Sequence, residues 1–314
     1  MSLSDAKRVL LGPQRPASNL AAAVEHLSPG DGPIATISAG WQEAEGDIDE
    51  VQQLVGRPLL DLGLYRRTEE LFAAHSDLHD AYRSRQERLK EQQRFYRLRL
   101  RHLMVAARQV MRSEGDPTVL AAEQRHAVAQ LRALDRHHLH SAGAIHADFT
   151  AHFAKEQFAP IAEHAMAIEN ILNDCEAVLI TGGNVIILLN RLLLFGLGPL
   201  LGNRQLIAWS AGAMVLSEQI VLFHDRLPEG RRDAEVLGAG LGLISRYIFL
   251  PDAGHRIRAK DGLRLRVFCQ RFSPSTCAML DNNSLLRFAG GKLTAAEAVR
   301  RIKPNGAIGL VQAK

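Results

Sequence analysis

The feature that most constrains the fold is the apolar stretch over residues 206–216, which is interrupted by one serine among small residues. The apolar residues before Ser210 are typical of a buried strand, and the residues after it are typical of the start of a helix. Ala208 and Gly212, two positions before and two after the serine, are small enough for a sharp strand-to-helix turn. Such a turn holds a serine out of the sheet, close to the free N–H groups of the following helix. Ser210 is therefore a candidate nucleophile, although an ordinary strand-helix junction would give the same pattern.

The rest of the chain alternates strand-like and helix-like segments, which predicts an α/β fold with a parallel sheet. The short apolar runs typical of strands are residues 8–11, 33–41, 57–64, 177–181 and 206–209. Residues 161–173 and 184–195 predict helices, and residues 196–205 predict a loop rich in glycine and proline. We expect strands near residues 277–280 and 285–288 to complete the sheet.

Residues 66–158 differ from this pattern, because they are rich in Arg, Gln, Glu, Leu and Ala and lack strand-like runs. They predict one long helix over residues 78–112 and a return helix over residues 118–137. The simplest explanation of the mixed charges is that they lie on the solvent-exposed face of a helical hairpin. Such a hairpin would pack on the core or form a homodimer interface. We therefore predict a single α/β domain over residues 1–314 with a helical insertion over residues 66–158.

Charge and cysteine content indicate the partners and the compartment. The formal net charge of +4 on 314 residues does not require a nucleic-acid partner, and none is expected. The longest apolar run, residues 185–201, is interrupted by Asn190 and Arg191, so no membrane partner is expected. The N-terminus lacks the pattern of a signal peptide, and three cysteines without paired spacing fit reduced thiols. The protein is predicted to be cytoplasmic.

Two further segments carry candidate site residues. A Gly-Gly turn follows the strand predicted at residues 177–181, and the N–H group of Gly183 is a natural second oxyanion donor beside that of Ala211. The strand-like run after Ser210 ends in His224 and Asp225, and either could help to activate a serine.

A metal or cofactor site is not predicted. Glycines near residues 238–242 superficially match a dinucleotide fingerprint but lack its strand-turn-helix context. A histidine-rich region has no zinc-type spacing, so a polar region without ligand function is favoured. Its members are His137, His138, His140, His146, Asp148, His152 and His164.

Read in chain order, these motifs resemble those of the aspartyl dipeptidase (peptidase E) and cyanophycinase family of serine peptidases. The motifs are Thr181-Gly182-Gly183-Asn184, Ala208-Trp209-Ser210-Ala211-Gly212, Asp225 and the glycine-rich link that precedes Asp252. The resemblance is strongest over residues 175–265. It implies a three-layer α/β/α fold of the class I glutamine amidotransferase-like, flavodoxin-like type, and it implies hydrolysis of an amide bond in a small peptide.

The resemblance also implies roles for individual residues. Ser210 falls on the nucleophile position, Gly183 and Ala211 fall on the oxyanion donors, and Asp225 falls on the acidic position. The family's catalytic histidine precedes a pair of arginines and has no unambiguous match in this sequence.

Two alignments of that histidine are open. When the arginine pair is aligned on Arg256 and Arg258, Asp252 stands at the histidine position, whereas the nearest histidine is His255. His224 is the reserve candidate for the base.

Two hypotheses follow. In the first, Ser210 attacks the amide, His255 is general base and acid, and Asp225 orients His255. Asn184, Arg256 and Arg258 would then bind the substrate, the arginines through a carboxylate. In the second, the chain is a catalytically lapsed amidotransferase-like protein that binds a ligand or a partner.

Overall fold

The computed structural model describes residues 6–27, 30–223 and 233–313. The elements up to the end of the helical hairpin are β1 (Lys7–Leu11), α1 (Leu20–Leu27), β2 (Ile34–Ile37), a 3-10 helix (Ala39–Ala44), α2 (Asp49–Val55), β3 (Leu59–Asp61), α3 (Leu64–Ala74), α4 (Ser76–Arg112) and α5 (Pro117–Phe153). The elements that follow are α6 (Ala159–Asn173), β4 (Ala177–Ile180), α7 (Val185–Leu194), α8 (Leu197–Gly202), β5 (Leu206–Trp209), α9 (Ala211–Val215), β6 (Gln219–Leu222) and β7 (Glu235–Ala239). The last are β8 (Tyr247–Pro251), α10 (Ala253–Arg256), α11 (Gly262–Phe272), β9 (Thr276–Leu280), β10 (Leu285–Ala289), β11 (Lys292–Glu297), β12 (Arg300–Ile302) and β13 (Ile308–Leu310).

The central sheet is mainly parallel. Over the described ranges it has seven strands in the order β11-β10-β1-β5-β4-β2-β3. Strands β1, β5, β4, β2 and β3 run parallel to one another, and β10 and β11 are antiparallel additions at one edge. The apolar runs of the inner strands β2, β4 and β5 are buried on both faces, as such sheets require.

Helices cover both faces of this sheet. Alternate side chains of one strand point to opposite faces. Leu179 and Ile207 pack with α1 and α2 on one face. Val178 and Ala208, their neighbours in the chain, pack with α3, α6 and α7 on the other face. The result is three layers, which confirms the predicted α/β fold.

The helical segment forms a long antiparallel hairpin. Helices α4 and α5 each have 37 residues, which corresponds to about 55 Å at 1.5 Å per residue. The side chain of Asp116 caps α5 by accepting hydrogen bonds from the N–H groups of Thr118 and Val119. The hairpin confirms the predicted helical segment, and its second helix is longer than predicted. The bounds 66–158 of an insertion in a single domain of residues 1–314 stay a prediction.

A buried polar cluster fastens the hairpin to α11. The guanidinium of Arg271 donates two hydrogen bonds of 2.6 Å to the carboxylate of Asp135 and one of 2.7 Å to the hydroxyl of Tyr96. Tyr96 donates to Asp135 and accepts from the N–H group of Val236, and Arg271 also donates to the Ala234 carbonyl. Burial alone would lower the pKa of Arg271, but Tyr96 and Asp135 together raise it. The cluster therefore joins α4, α5, β7 and α11.

Three sequence-based expectations for the fold are wrong. The last part of the chain does not simply complete the central sheet, because β9 belongs to a separate four-stranded sheet of order β13-β12-β9-β8. Residues 196–205 were expected to form a loop, but they contain α8, whose Leu197 and Leu201 are buried. The predicted glycine-rich link begins inside β7, which pairs antiparallel with β6.

In the part of the chain that the structure describes, no helix is both long enough and apolar enough to cross a membrane.

Candidate active site

The candidate site lies where four adjacent strands of the central sheet end. In a parallel sheet, the loops that follow the carboxyl ends of neighbouring strands meet at one edge. Here the loop after β1 brings Arg15, the loop after β2 brings Trp41, and the loop after β4 brings Gly183. Ser210 follows β5, the strand between β1 and β4. The topology therefore brings these loops together around Ser210.

The backbone at Ser210 is strained. Its φ of 50° and ψ of −115° lie in a region that residues with a side chain rarely adopt. Such a conformation costs on the order of 1–3 kcal/mol and is common at functional sites. The turn also needs glycine two positions later, because a Cβ on Gly212 would lie 2.4 Å from the Ile180 carbonyl oxygen. The corner therefore has the tight geometry that its sequence predicts.

The Gly-Gly turn lies directly against the serine. A Cβ on Gly182 would be 3.1 Å from the Cβ of Ser210. Gly183 has a φ of 102°, and a Cβ there would be 2.3 Å from the Gly40 carbonyl oxygen. That oxygen accepts a 2.7 Å hydrogen bond from the N–H group of Asn184, which ties the turn to the loop after β2. Only glycine fits this close approach.

The N–H groups of Gly183 and Ala211 have no acceptor among the residues that the structure describes. The hydroxyl of Ser210 likewise has no hydrogen-bond partner within that part of the chain. These groups are therefore available to a bound molecule.

Ser210 stands where two clefts meet. One, the His255 cleft, has a volume of about 550 Å³ and is lined by residues that include Ser210, Asp252, His255 and Arg256. The other, the Trp41 cleft, has a volume of about 450 Å³. Both clefts are lined by Arg15, Gly183 and Ser210. An extended molecule can therefore lie on both sides of the serine.

His255 is paired with Asp252 in the short helix after β8. Its Nδ1 lies 2.6 Å from Oδ1 of Asp252, and the other carboxylate oxygen lies 3.6 Å from Nε of Arg256. The His255 side chain is 87% exposed, and no hydrogen bond joins it to Ser210 within the described residues. A second carboxylate holds this segment in place, because Asp281 accepts from the N–H group of Gly254.

The structure brings together only some of the predicted site residues. His224 and Asp225 lie outside the described residues. Arg256 lines the His255 cleft, whereas Arg258 lines neither cleft. The side-chain oxygen of Asn184 accepts from the N–H groups at the start of α7, so it caps that helix.

Two features of the site were not predicted from the sequence. Arg15 lines both clefts and pairs with Glu50 at 2.5 Å, but a lone arginine after a Gly-Pro turn carries no local signal. The contact between Asp252 and His255 could have been found, because residues three apart in a helical turn lie on the same side.

The histidine-rich region lies on α5, apart from His164 on α6, and its side chains have separate surroundings. His138 stacks on Tyr96 with ring centroids 4.1 Å apart, and Nδ1 of His152 lies 3.1 Å from the Asp148 carbonyl oxygen. Burial and the charge of Arg85 lower the pKa of His146 to about 4. Over residues 6–27, 30–223 and 233–313, no three His, Cys, Asp or Glu side chains are grouped to hold a metal ion.

Comparisons with known proteins give one family match and two similar solved structures. The family model "Peptidase family S51" matches residues 140–296. No curated protein matches the sequence at a significant level. Among solved structures, the chain is similar to a peptidase from an acI-B1 Actinobacterium, with 14% identity and a TM-score of 0.47 over 96% of this chain and 91% of that one. It is also similar to a candidate peptidase E from Listeria monocytogenes EGD-e, with 10% identity and a TM-score of 0.43 over 95% of this chain and 100% of that one.

Proposed function

The chain belongs to peptidase family S51, a family of serine peptidases, and from this premise we propose that it hydrolyses an amide bond of a small peptide with Ser210 as the nucleophile. The observation that carries the proposal is the position of Ser210. It has a positive φ at the carboxyl end of β5, beside Gly183, where two clefts meet. A strained serine that faces a cleft is the usual arrangement of a nucleophile.

In the proposed first step, Oγ of Ser210 forms a bond to the carbonyl carbon of the substrate. The carbonyl oxygen becomes an oxyanion, which accepts hydrogen bonds from the N–H groups of Gly183 and Ala211. The free state of both N–H groups among the described residues supports this role. Loss of one such donor typically reduces kcat by about 10²–10³-fold.

His255 is the proposed general base. Its Nε2 takes the Ser210 proton and later delivers it to the leaving amine as the C–N bond breaks, and the same nitrogen then activates the water that hydrolyses the acyl-enzyme. His255 needs to move toward Ser210 when substrate binds. Its high exposure supports this movement, and catalytic hydrogen bonds often tighten only in the complex.

Asp252 is the proposed orienting group for His255. Its 2.6 Å contact with Nδ1 would keep the proton on that nitrogen and leave Nε2 as the acceptor. The resemblance assigns this orienting role to Asp225, which lies outside the described residues. In the proposed arrangement, Asp252 stands at the family's histidine position and orients His255, which follows three residues later.

The proposed substrate is a small peptide that carries a carboxylate. Arg256 lines the His255 cleft and Arg15 lines both clefts. A substrate carboxylate would compete with Asp252 for Arg256 and with Glu50 for Arg15. Arg258 and Asn184 stay predicted substrate contacts, but Arg258 lines neither cleft and the side-chain oxygen of Asn184 caps α7.

The test is covalent labelling with a fluorophosphonate probe, followed by hydrolysis assays with aspartyl, glutamyl and alanyl dipeptides. We expect the wild type to be labelled and Ser210→Ala to be unlabelled and inactive, with a loss of roughly 10⁴-fold or more. His255→Gln should lose about 10²–10⁴-fold in kcat/KM. His152→Gln, an exposed histidine outside both clefts, is the matched control and should keep full activity. Equal labelling of the wild type and Ser210→Ala would refute the proposal.

A second candidate function is a catalytically lapsed protein that binds a peptide without cleaving it. It is favoured by the missing hydrogen bond between Ser210 and His255 among the described residues. In that case dipeptides would bind the wild type and Ser210→Ala with similar affinity, and neither protein would release an amino acid.

The helical hairpin is a proposed homodimer surface. Phe95, Leu98 and Val105 on α4 are 48%, 51% and 47% exposed, and their spacing puts them on one side of the helix. Light scattering should show a dimer that Leu98→Glu dissociates. Met166→Glu, at an exposed position on α6, is the control and should leave the dimer intact. A monomeric wild type would exclude this assembly.

A further inference from the structure

A third cleft, called the α5–α11 cleft below, lies between the second helix of the hairpin and α11. Its volume is about 430 Å³. The described residues that line it belong to these two helices, within residues 121–132 and 266–270. It shares none of them with the two clefts at Ser210, so it is a separate place for a ligand.

Three arginines line the α5–α11 cleft. Arg125 and Arg132 lie on α5, and Arg266 lies on α11. No Asp or Glu is among the described lining residues, and none of the three guanidiniums forms an ion pair with a carboxylate in the part of the chain that the structure describes. Because like charges in one cleft repel one another, a bound anion would stabilise this arrangement.

Two of the guanidiniums are held in place by hydrogen bonds across the cleft. Nε and Nη2 of Arg132 both donate to the backbone carbonyl oxygen of Gln270, the first at 3.1 Å. Nη2 of Arg266 donates a 3.0 Å hydrogen bond to the side-chain oxygen of Gln124. Each bond joins α5 to α11, so both arginines are oriented before a ligand binds, which lowers the entropy cost of binding.

Each guanidinium keeps N–H groups for a ligand. Nη1 of Arg132 and both Nε and Nη1 of Arg266 have no hydrogen-bond partner among the described residues. They are also accessible to solvent, since none of them is among the buried nitrogen atoms that lack a partner. Arg125 is exposed, and no described residue pairs with its guanidinium. The cleft therefore offers reachable donors on three arginines.

These donors fit an anion with several oxygen atoms and several charges. Arg125 and Arg132 are seven residues apart, so their Cα atoms are separated by about 10 Å along α5. A guanidinium binds phosphate oxygens through paired N–H groups, and linked phosphates present such oxygens in a row. Three positive charges over two helical turns therefore match a chain of phosphates better than a single carboxylate.

The other lining side chains leave room for such a chain. Ala121, Val128 and Ala129 are small, and no aromatic side chain is among the described lining residues. A nucleotide base would therefore have no ring to stack on in the cleft. The lining thus favours contacts with the phosphates themselves.

We propose that the α5–α11 cleft binds a short chain of linked phosphates, either inorganic triphosphate or the triphosphate group of a nucleotide. The phosphate oxygens accept hydrogen bonds from Arg125, Arg132 and Arg266. Because the bound anion contacts both helices, it stabilises the attachment of the hairpin to α11.

The experiment is isothermal titration calorimetry with sodium tripolyphosphate. We expect saturable binding to the wild type that weakens as the salt concentration rises. Arg266→Gln should weaken it about tenfold, as expected for hydrogen bonds to a charged group. Arg101→Gln is the matched control: it removes the same charge at an exposed position on α4 that lines none of the three clefts, and it should bind as the wild type does.

A second variant and a second measurement cover a loss of folding in Arg266→Gln. Arg125→Gln changes an exposed side chain and should weaken binding about threefold. Tripolyphosphate should also raise the Tm of the wild type and of Arg101→Gln, and it should raise that of Arg125→Gln less.

ATP and orthophosphate distinguish the sources of the ligand. Orthophosphate should bind more weakly than tripolyphosphate. Tighter binding of ATP than of tripolyphosphate would identify a nucleotide as the ligand, and tighter or equal binding of tripolyphosphate would identify the inorganic anion.

Four outcomes would overturn the assignment. They are no binding of tripolyphosphate at millimolar concentration, equal weakening by Arg266→Gln and Arg101→Gln, citrate binding as tight as that of tripolyphosphate, and tighter binding of a single-stranded oligonucleotide, which would indicate a nucleic-acid surface instead. The readout is binding, so the result does not depend on whether Ser210 is catalytic.

Discussion

Asp135→Asn should destabilise the protein strongly, because it removes the only anion that neutralises Arg271 in the described surroundings of that side chain. The Arg271 and Asp135 side chains are 1% and 8% exposed, and two hydrogen bonds of 2.6 Å join them. Asparagine has nearly the same shape as aspartate but carries no charge. A buried guanidinium would then remain without its counter-ion.

The expected decrease in the free energy of unfolding can be estimated from the type of interaction that is lost. Breaking a buried ion pair on one side typically costs 3–5 kcal/mol, out of a total stability of about 5–15 kcal/mol. Asp135 also accepts the hydroxyl hydrogen of Tyr96, so the substitution leaves two donors poorly satisfied. Urea unfolding followed by circular dichroism should show a free energy of unfolding lower by about 3–5 kcal/mol, at an unchanged m-value.

Asp148→Asn is the matched control on the same helix. Asp148 pairs with Arg88 at 2.5 Å, but the two side chains are 58% and 52% exposed. An exposed ion pair contributes little to stability because water screens it, so this variant should be close to the wild type. The double variant Asp135→Leu with Arg271→Met, which removes both charges, should be more stable than Asp135→Asn alone. Equal losses of stability in Asp135→Asn and Asp148→Asn, or a double variant that is the least stable of the three, would contradict this role of the Asp135 charge.

Three further predictions concern the turn at Ser210 and the hairpin. Ser210→Gly should be about 1 kcal/mol more stable than Ser210→Ala in thermal unfolding, because glycine adopts a φ of 50° without strain; equal stability would contradict the strained backbone. Gly212→Ala should lose about 1–3 kcal/mol and most of the fluorophosphonate labelling, since its Cβ would lie 2.4 Å from the Ile180 oxygen, and an active, stable variant would refute this. Stability should fall between pH 6.5 and about pH 4, because His146 stays neutral in the folded state while the unfolded state takes up a proton. His146→Leu should reduce this slope, measured as the urea midpoint against pH, whereas the exposed-site control His137→Asn should keep it; two identical pH profiles would contradict the assignment.

The fold class and the corner at Ser210 follow from the sequence because both depend on local patterns. Short buried strands need continuous apolar runs, and a tight strand-to-helix turn needs small residues such as Gly212. The Gly-Gly turn was predicted for the same reason, and Gly183 indeed requires a positive φ. The roles of these residues in catalysis stay predictions until the labelling test is made.

Other features could not be predicted from local sequence because they depend on contacts with residues that are distant in the chain. Strand β7 begins with a glutamate, which is a poor strand residue in isolation; here Glu235 is buried because Gln93 and Arg97 of the hairpin pair with it. Helix α8 was missed because glycine and proline suggested a loop, whereas its leucines are buried in the core. Arg15 enters the site only because the topology puts β1 beside β5.

The buried cluster around Arg271 also bears on how the hairpin could have been acquired or removed. A helical segment can be deleted when the rest of the domain, called the body here, leaves no buried charge unpaired without it. Here the body contributes a buried cation from α11, and the hairpin contributes the carboxylate of Asp135 and the hydroxyl of Tyr96 that neutralise and solvate it. A shortened chain without α4 and α5 would therefore need a second, compensating change at Arg271. The hairpin and the rest of the domain are therefore expected to have changed together.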